Sequence, residues 1–406
     1  MLNFSTTSPN PELFSRVLVR SGMFLQKLIG VFRRVQARFS APDHPHAVPV
    51  TRPSFPLETM RLCVVIPAYN EEQTIGSTLD SVLNAGVLPQ NIFVIDDCSG
   101  DHTSQIVEGY GVNLLRNRTN AGKAESIKRA AFSQRLTERF DLIALLDADT
   151  IVHRDYFSRI HSHAIAHPDV ALFVGQVKSR RHNWLTSSRA LDYTYMHDVY
   201  KTAQSKYSMI TVAPGCASVY RAHAFRQLDI SSDTLAEDMD WTIQVHRKGL
   251  GKTQYVAGAI VYTQDPETLR DYTRQILRWY TGCWQVIRKH RIPLSPTRID
   301  LELGLLYLEG LTYGIVLMLL VPLLPFLLVF HRQWIETLAF YDVLAFSGIA
   351  VYSAIRNRRL DIIGYFPLFY IVRFLNAQYF LYAFLRVYLK PEEVRTWNMV
   401  KRYQSR

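Results

Sequence analysis

The hydrophobic pattern divides the chain into two unlike parts. From Leu62 to about Ala259 short apolar runs alternate with segments of helical periodicity, which predicts a mostly parallel sheet with helices on its faces. From Leu303 onward the apolar runs reach membrane-spanning length. The first strand is expected at Leu62–Pro67 with a helix from Thr74 to about Ala85, the second at Ile92–Ile95, a short third near Val112–Leu115, and then a helix over Ala124–Leu136. Leu142–Leu146 is apolar at every position, as a strand buried on both faces requires. It stops at Asp147-Ala148-Asp149, which sets two carboxylates at its carboxyl end, where open α/β sheets bind ligands.

Three spans are expected in the second part: Leu303–Phe330, with Pro322 and Pro325 kinking or breaking its second half, Trp334–Ile355 and Phe366–Leu389. Buried helices of a soluble core are the alternative, which runs of this length disfavour. Within the spans, Glu309, Asp342 and Arg373 must face protein or water rather than lipid. At the other end, Phe14, Leu18, Ser21, Leu25, Leu28, Phe32 and Val35 recur at helical spacing, with Arg16, Arg20, Lys27 and Arg34 on another face. That is a basic amphipathic helix suited to lying on a bilayer or packing on the domain, not a cleavable signal. Residues 40–60, punctuated by Pro42, Pro45, Pro49, Pro53 and Pro56, read as a linker. The divisions expected are therefore 1–60, 61–265, 266–300, 301–390 and a basic tail at 391–406.

Composition narrows the partners. A formal charge of +11 over 406 residues suits a protein that lies against anionic lipid or handles phosphorylated substrate. No basic DNA- or RNA-binding motif accompanies that charge, so no nucleic-acid partner is expected. Cys63, Cys98, Cys216 and Cys283 lack metal or disulfide spacing and read as reduced thiols. His153, His161, His163 and His167 are better read as a solvated helix than as a metal site, and the Asn117-Arg118-Thr119 sequon carries no meaning in a cytosol-facing domain.

The candidate chemistry lies at strand ends. Two strands of one sheet that end in acids, Asp96-Asp97 and Asp147-Ala148-Asp149, bring those acids to a shared edge. Asp96 or Asp97 is placed to accept from a base N–H, and Asp147 and Asp149 to hold a divalent cation against a diphosphate. Lys123, after Gly122 and near a helix start, can add a positive charge beside the same phosphates. Each is ordinary turn chemistry when taken alone; their order at successive strand ends is what carries weight.

Val65-Ile66-Pro67-Ala68-Tyr69-Asn70-Glu71-Glu72, Ile95-Asp96-Asp97-Cys98-Ser99, Asn120-Ala121-Gly122-Lys123 and Asp147-Ala148-Asp149 resemble the successive motifs of family 2 glycosyltransferases with a GT-A fold, over about Arg61–His290. The resemblance implies an α/β GT-A domain, a UDP-sugar donor, and Mg2+ or Mn2+ held by Asp149 and Asp147. It assigns uracil contact to Asp97 and places Tyr69 and Glu71 in the nucleotide pocket. Ala236-Glu237-Asp238 resembles the family's Thr-Glu-Asp motif, which makes Asp238 the general base with Glu237 beside it; Ala236 departs from the pattern without touching the carboxylates. Gln275, Arg278 and Trp279 resemble the Gln-x-x-Arg-Trp motif of membrane-bound processive synthases of cellulose, chitin, hyaluronan and poly-N-acetylglucosamine. Trp279 can stack on an acceptor sugar and Arg278 can fork onto the diphosphate.

The activity implied is inverting transfer from a UDP-sugar, UDP-N-acetylglucosamine or UDP-glucose, to a growing β-linked polysaccharide, with export through or beside the spans. Single transfer to a polyprenyl phosphate or glycolipid is one alternative. A catalytically silent nucleotide-sugar-binding membrane protein is another. The expected setting is a bacterial inner or plasma membrane with the catalytic domain cytoplasmic and a homo-oligomer or export partner completing the path that Glu309, Asp342 and Arg373 line. One conflict stands in the charges. Two crossings leave Arg356, Arg358 and Arg359 inside, whereas a third would put Lys401, Arg402 and Arg406 outside, against the positive-inside rule.

Overall fold

The structure, a computed structural model, describes residues 60–180, 183–294 and 297–389. The helix expected at Phe14–Val35, all but the last residue of the 40–60 linker, and the 391–406 tail lie outside the described residues.

The strands are β1 (Leu62–Ala68), β2 (Ile92–Asp96), β3 (Asn113–Arg116), β4 (Leu142–Leu145), β5 (Ile151–Val152), β6 (Val170–Ser179), β7 (Ser218–Arg221) and β8 (Lys252–Thr263). They form one eight-stranded sheet ordered β3-β2-β1-β4-β7-β6-β8-β5. The half that carries the expected acids is parallel. Beyond it β7 runs antiparallel to both β4 and β6, and β5 against β8, while β6 and β8 are parallel, so four of the seven pairings are parallel and the sheet is mixed. An apolar run has the same side-chain period in either direction, so strand sense is invisible to the pattern. Alternation along β1 splits its side chains between two cores. Leu62, Val64 and Ile66 join Leu142 and Ala144 on one face, while Cys63 and Val65 join Ile143 and Leu145 on the other. Each such aliphatic burial contributes about 1.5–3 kcal/mol.

Among the described residues, seven helices of six residues or more pack on this sheet or its flank: α1 (Ile75–Asn84), α2 (Thr103–Glu108), α3 (Lys123–Ser133), α4 (Tyr156–Ala166), α5 (Trp184–Tyr193), α6 (Glu237–Arg247) and α7 (Leu269–Lys289). A π-helical stretch, Thr194–Lys201, continues α5. α4 corrects the expectation for its histidines: His161 is buried with Tyr156, Phe157, Ile160 and Ala164 on the core face, four residues beyond Phe157. No group of three metal-ligating side chains occurs among the described residues. All four cysteines are free.

Three further helices, α8 (Arg298–Phe330), α9 (Arg332–Arg356) and α10 (Asp361–Leu389), are long and apolar enough to cross a membrane. α8 runs unbroken through Pro322 and Pro325, against the expected break. Gly310 and Gly314 let α8 approach α10: a Cβ on Gly310 would stand 2.7 Å from the Phe380 ring, and one on Gly314 would stand 3.0 Å from the Ala377 carbonyl oxygen. Small residues four apart commonly serve this end in membranes. Arg373 on α10 donates to both carboxylate oxygens of Asp342 on α9, at 3.1 and 2.9 Å, so two of the three charges expected within spans neutralise one another; Glu309 is exposed.

The two parts are joined by polar contacts at α6. Arg247 of α6 meets Asp300 of α8 at 2.6 Å, and fully buried Asp240 accepts from Lys289 at 2.8 Å and contacts His290 at 2.5 Å. α7 abuts the residues before α6, since a Cβ on Gly282 would lie 2.6 Å from the Ala236 nitrogen. Trp284 is buried against Tyr307, Phe380 and Phe384. Gly282→Val should therefore force α7 away from the start of α6, costing about 1–3 kcal/mol by overpacking. A lowered thermal unfolding midpoint together with loss of function is the expected measurement.

Candidate active site

The carboxyl edge of the parallel strands collects the expected residues. Ala68 pairs with Asp96 in register, the Asp97 N–H donates to the Ala68 carbonyl at 2.8 Å, and the Leu146 N–H donates to the Val65 carbonyl at 3.1 Å. The turns after β1 and β2 are bound together. The Asn70 N–H donates to Ser99 Oγ at 2.9 Å, the Gly100 N–H to Asn70 Oδ1 at 2.8 Å, and the Glu71 N–H to Thr103 Oγ1 at 2.8 Å. Asn70 takes φ +54°, a left-handed conformation that Asn tolerates better than most residues. Glu71 is buried and its carboxylate accepts from Thr74 at 2.7 Å; Tyr69 beside it is half-buried.

Asp97 has work inside the protein that the strand pattern did not reveal. Its Oδ1 accepts from the Ala121 N–H at 2.8 Å and Asn117 Nδ2 at 2.7 Å, and its Oδ2 accepts from the Gly122 N–H at 2.7 Å. These bonds fix the turn at Gly122, whose φ of +84° suits glycine, and so set the start of α3. The sequon residue Asn117 is thereby tied into the same turn.

Lys123 is the first residue of α3 and reaches back across the edge. Its ammonium lies 2.6 Å from Asp147 Oδ1 and 3.0 Å from Glu237 Oε1. Burial alone would lower the ammonium pKa, but the two carboxylates outweigh it and hold the group charged. One cation thus joins the end of β4 to the start of α6. Gly215 leaves room for it, because a Cβ there would stand 2.6 Å from Nζ.

Asp238 follows Glu237 on the first turn of α6. It accepts from the Met239 N–H at 2.8 Å and the Gly215 N–H at 3.2 Å. Burial, with the Glu237 charge next to it, pushes its pKa up to about 6, against the opposing pull of Lys123. A carboxyl so poised can take a proton near neutral pH. Sequence reasoning missed Lys201. It is buried on the π-helical stretch, donates to the Val212 carbonyl at 2.5 Å, and has its pKa lowered to about 8 by burial against the pull of Asp238. Nothing in the local sequence marks it, although π-helical insertions often occur at functional sites.

Asp149 is buried two residues beyond half-exposed Asp147. Two hard oxygen donors at the tip of one strand fit a cation that takes one or two carboxylates and completes its shell with phosphate and water. α7 reaches this region through Gly282 and through Gln285, whose Oε1 accepts from the Leu235 N–H at 3.0 Å. Gln275 and Arg278 precede Gly282 by seven and four residues, on the same side of the helix. Trp279 meets α5: the buried Arg189 guanidinium lies 5.2 Å from its ring and 4.7 Å from that of Tyr193. Arg189 also donates to Asp192 at 3.3 Å and stands 3.6 Å from Asp265, which accepts from the Tyr193 hydroxyl at 3.0 Å. Neither Arg189 nor Asp265 was foreseen; only their positions around Trp279 reveal them.

A parallel half-sheet with acids on its carboxyl edge, widened by an antiparallel strand and faced by an acid-tipped helix, is the GT-A glycosyltransferase fold. Residues 60–282 match the model of the family described as "Glycosyltransferase like family 2", and the chain belongs to that family. It is 29% identical over 244 residues to an N-acetylglucosaminyltransferase of Azorhizobium caulinodans, a match that covers 54% of this chain and 59% of that one. It is 24% identical over 255 residues to a poly-beta-1,6-N-acetyl-D-glucosamine synthase of Staphylococcus epidermidis, covering 60% of each. The chain thus spans about three-fifths of the length of these relatives. Among solved structures, the mannosyltransferase PcManGT from Pyrobaculum calidifontis, in complex with GDP-Man and Mn2+, superposes with a TM-score of 0.55 at 17% identity, over 93% of this chain and 98% of that one. That likeness is one of fold.

Lys123→Met should leave Asp147 and Glu237 facing each other without their shared cation, at a cost of about 3 kcal/mol, the lower end for a broken buried pair. Denaturant unfolding measures it, and Lys123→Arg should recover part of the loss.

Proposed function

We propose that this protein is a membrane-integrated, inverting glycosyltransferase that moves a sugar from a UDP-sugar donor onto a growing β-linked glycan. The observation that carries the reading is the Lys123 ammonium between Asp147 and Glu237, with the raised-pKa carboxyl of Asp238 next in the chain. In this reading Lys123 faces the donor diphosphate, and Asp238, oriented by the Gly215 and Met239 N–H groups, takes the proton of the acceptor hydroxyl as that oxygen attacks the anomeric carbon. Asp147 and Asp149 would hold Mg2+ or Mn2+, which supplies charge neutralisation to the departing diphosphate. Tyr69 and Glu71 line the nucleotide side of the edge. Asp97 acts there through the Gly122 turn that it bonds, whatever contact it also makes to uracil. Gln275, Arg278 and Trp279 take the acceptor and diphosphate side.

The printed activities of the curated relatives, N-acetylglucosamine transfer and poly-β-1,6-N-acetylglucosamine synthesis, support UDP-N-acetylglucosamine as the donor and a glycan polymer as the product. The three apolar helices among the described residues are few for a polysaccharide channel, which keeps single transfer to a lipid-linked acceptor as a second reading and favours an oligomer or partner if the product is exported. The catalytic domain is read as cytoplasmic because nucleotide-sugars are made there.

Three outcomes test this. Incubation with labelled UDP-N-acetylglucosamine should release UDP and yield a ladder of products; single additions would refute elongation. Asp238→Asn should abolish transfer while nucleotide binding persists, and because the base must be ionised, wild-type turnover should fall as pH drops through about 6. Asp149→Ala should remove the metal-dependent part of UDP binding in calorimetric titration with Mn2+, and unaltered binding would reject its ligand role.

A further inference from the structure

The Asp238 carboxyl rests on a backbone shelf, and that shelf leads to a buried cation. Asp238 Oδ2 accepts from the Gly215 N–H at 3.2 Å. Gly215 ends a short segment before β7 that is anchored residue by residue. The Ile210 carbonyl lies 2.8 Å from His246 Nε2, Thr211 Oγ1 accepts from Gln204 at 3.2 Å, and the Ala213 N–H donates to Thr242 Oγ1 at 3.0 Å. Thr242 in turn donates to the Asp238 carbonyl at 2.6 Å. Between these anchors the Val212 carbonyl accepts from Lys201 Nζ at 2.5 Å. Pro214 has no N–H to give, so the approach to Gly215 is fixed by Lys201 and Thr242.

A lysine is a costly way to hold one carbonyl. An ammonium carries three N–H donors and a charge that is expensive to bury unmatched. Lys201 is 4% exposed, and among the described residues no carboxylate forms an ion pair with it. The charges that bear on it are Asp238 of α6 and the Cys216 thiol, with His197, kept neutral by burial, one turn earlier on the same stretch. Facing Asp238 are Glu237 on its own helix, Lys123 of α3, Tyr220 of β7, Cys216, and Cys283 of α7. Lys123 is already shared by Asp147 and Glu237, which leaves the charge of Lys201 to Asp238. The π-helical stretch that carries Lys201 is fastened at both ends to the apolar helices. Thr194 shares a hydrogen bond of 2.8 Å with Ser353 of α9, and the Tyr200 hydroxyl donates to Glu302 of α8 at 3.0 Å. Removing one residue from that stretch would rotate Lys201 by about 100° away from Val212, so the π geometry aims it.

We propose that Lys201 is a positioning residue for the transfer step: its ammonium fixes the Val212 carbonyl, and with it the shelf from Val212 to Gly215 that orients the Asp238 carboxyl, and it adds to Lys123 a second positive charge facing that carboxyl. This role presupposes Asp238 as the base. Loss of Lys201 lowers turnover rather than donor affinity, because the nucleotide side of the edge is built from the turns after β1 and β2 and not from this shelf. Burial lowers the Lys201 pKa to about 8, against the pull of Asp238. The group is therefore charged below about pH 8 and neutral above it, and turnover falls as pH rises through that value.

The test uses the full chain with Lys201→Met, which keeps the length and removes the charge, and Lys201→Arg, which keeps the charge. With no sugar present, hydrogen–deuterium exchange at the Ala213 and Gly215 amides should quicken about tenfold in Lys201→Met and stay near wild type in Lys201→Arg. Unchanged exchange in Lys201→Met would overturn the proposal whichever donor the enzyme uses. With UDP-N-acetylglucosamine, Lys201→Met should lose kcat by about tenfold to a hundredfold while the donor KM changes little. Lys201→Arg should recover part of that kcat and lack the alkaline fall, because a guanidinium stays charged throughout the range. An alkaline fall near pH 8 that persists in Lys201→Arg would overturn the proposal, as would a Lys201→Met defect confined to KM. Should Lys201→Met fail to fold, the alkaline limb of Lys201→Arg decides. A normal Lys201→Met beside an inactive Asp238→Asn would remove this role and keep the base, whereas an active Asp238→Asn would remove both.

Discussion

The Lys123 ammonium is the constraint on which the site depends. A buried cation stabilises a fold only when its charge is matched, and here the matching carboxylates come from two distant pieces of chain, the tip of β4 and the first turn of α6. Lys123 therefore draws the tip of β4 and the start of α6 into one edge. Its position is in turn owed to Asp97, which spends both carboxylate oxygens on the turn before α3. The hydrogen bond from Gly215 to Asp238 closes the arrangement, and the absence of a side chain at Gly215 lets the ammonium through.

Around that centre, burial and pairing are played against one another. Glu237 shares a cation, whereas Asp238, one residue on, is left with backbone donors and a raised pKa. Two carboxylates at one helix start thus acquire different tasks through environment alone, the general way a fold separates an acid from a base. Asp240, a turn further, is fully buried yet held charged by Lys289 and His290, and serves the joint between α6 and α7. The same economy of pairing governs the membrane-facing part. Asp342 and Arg373 cancel, and the Arg189 cluster ties Trp279 to α5 and to the loop after β8. α10 is packed against both α5 and α7, so it also touches the helix of the Gln-x-x-Arg-Trp motif.

Much of this was legible in the order of residues. Strand positions, the acids at their ends, the Gly-Lys turn, the Glu-Asp pair and three long apolar helices all announce themselves over short windows, because local periodicity and turn chemistry act over a few residues. Partnerships across the sheet were not. Asp97 reads as a ligand for a base, and no local pattern shows that Ala121 and Gly122 bond it. His161 reads as solvated until the helix is rotated onto its core. Lys201, Arg189 and Asp265 are unremarkable as letters and gain meaning only from what stands beside them.

The sequence by itself determined that an α/β domain with an acid edge precedes an apolar region, since side-chain burial and strand-end chemistry follow from identity and spacing. Only the tertiary structure decided that the sheet is mixed, that Lys123 bridges Asp147 and Glu237, and that α10 runs along the domain. Hydropathy measures whether a helix tolerates lipid; what it packs on depends on hydrogen bonds at its two ends, made to residues 174 and 99 positions away. Those distances in sequence become contacts only once the chain has folded.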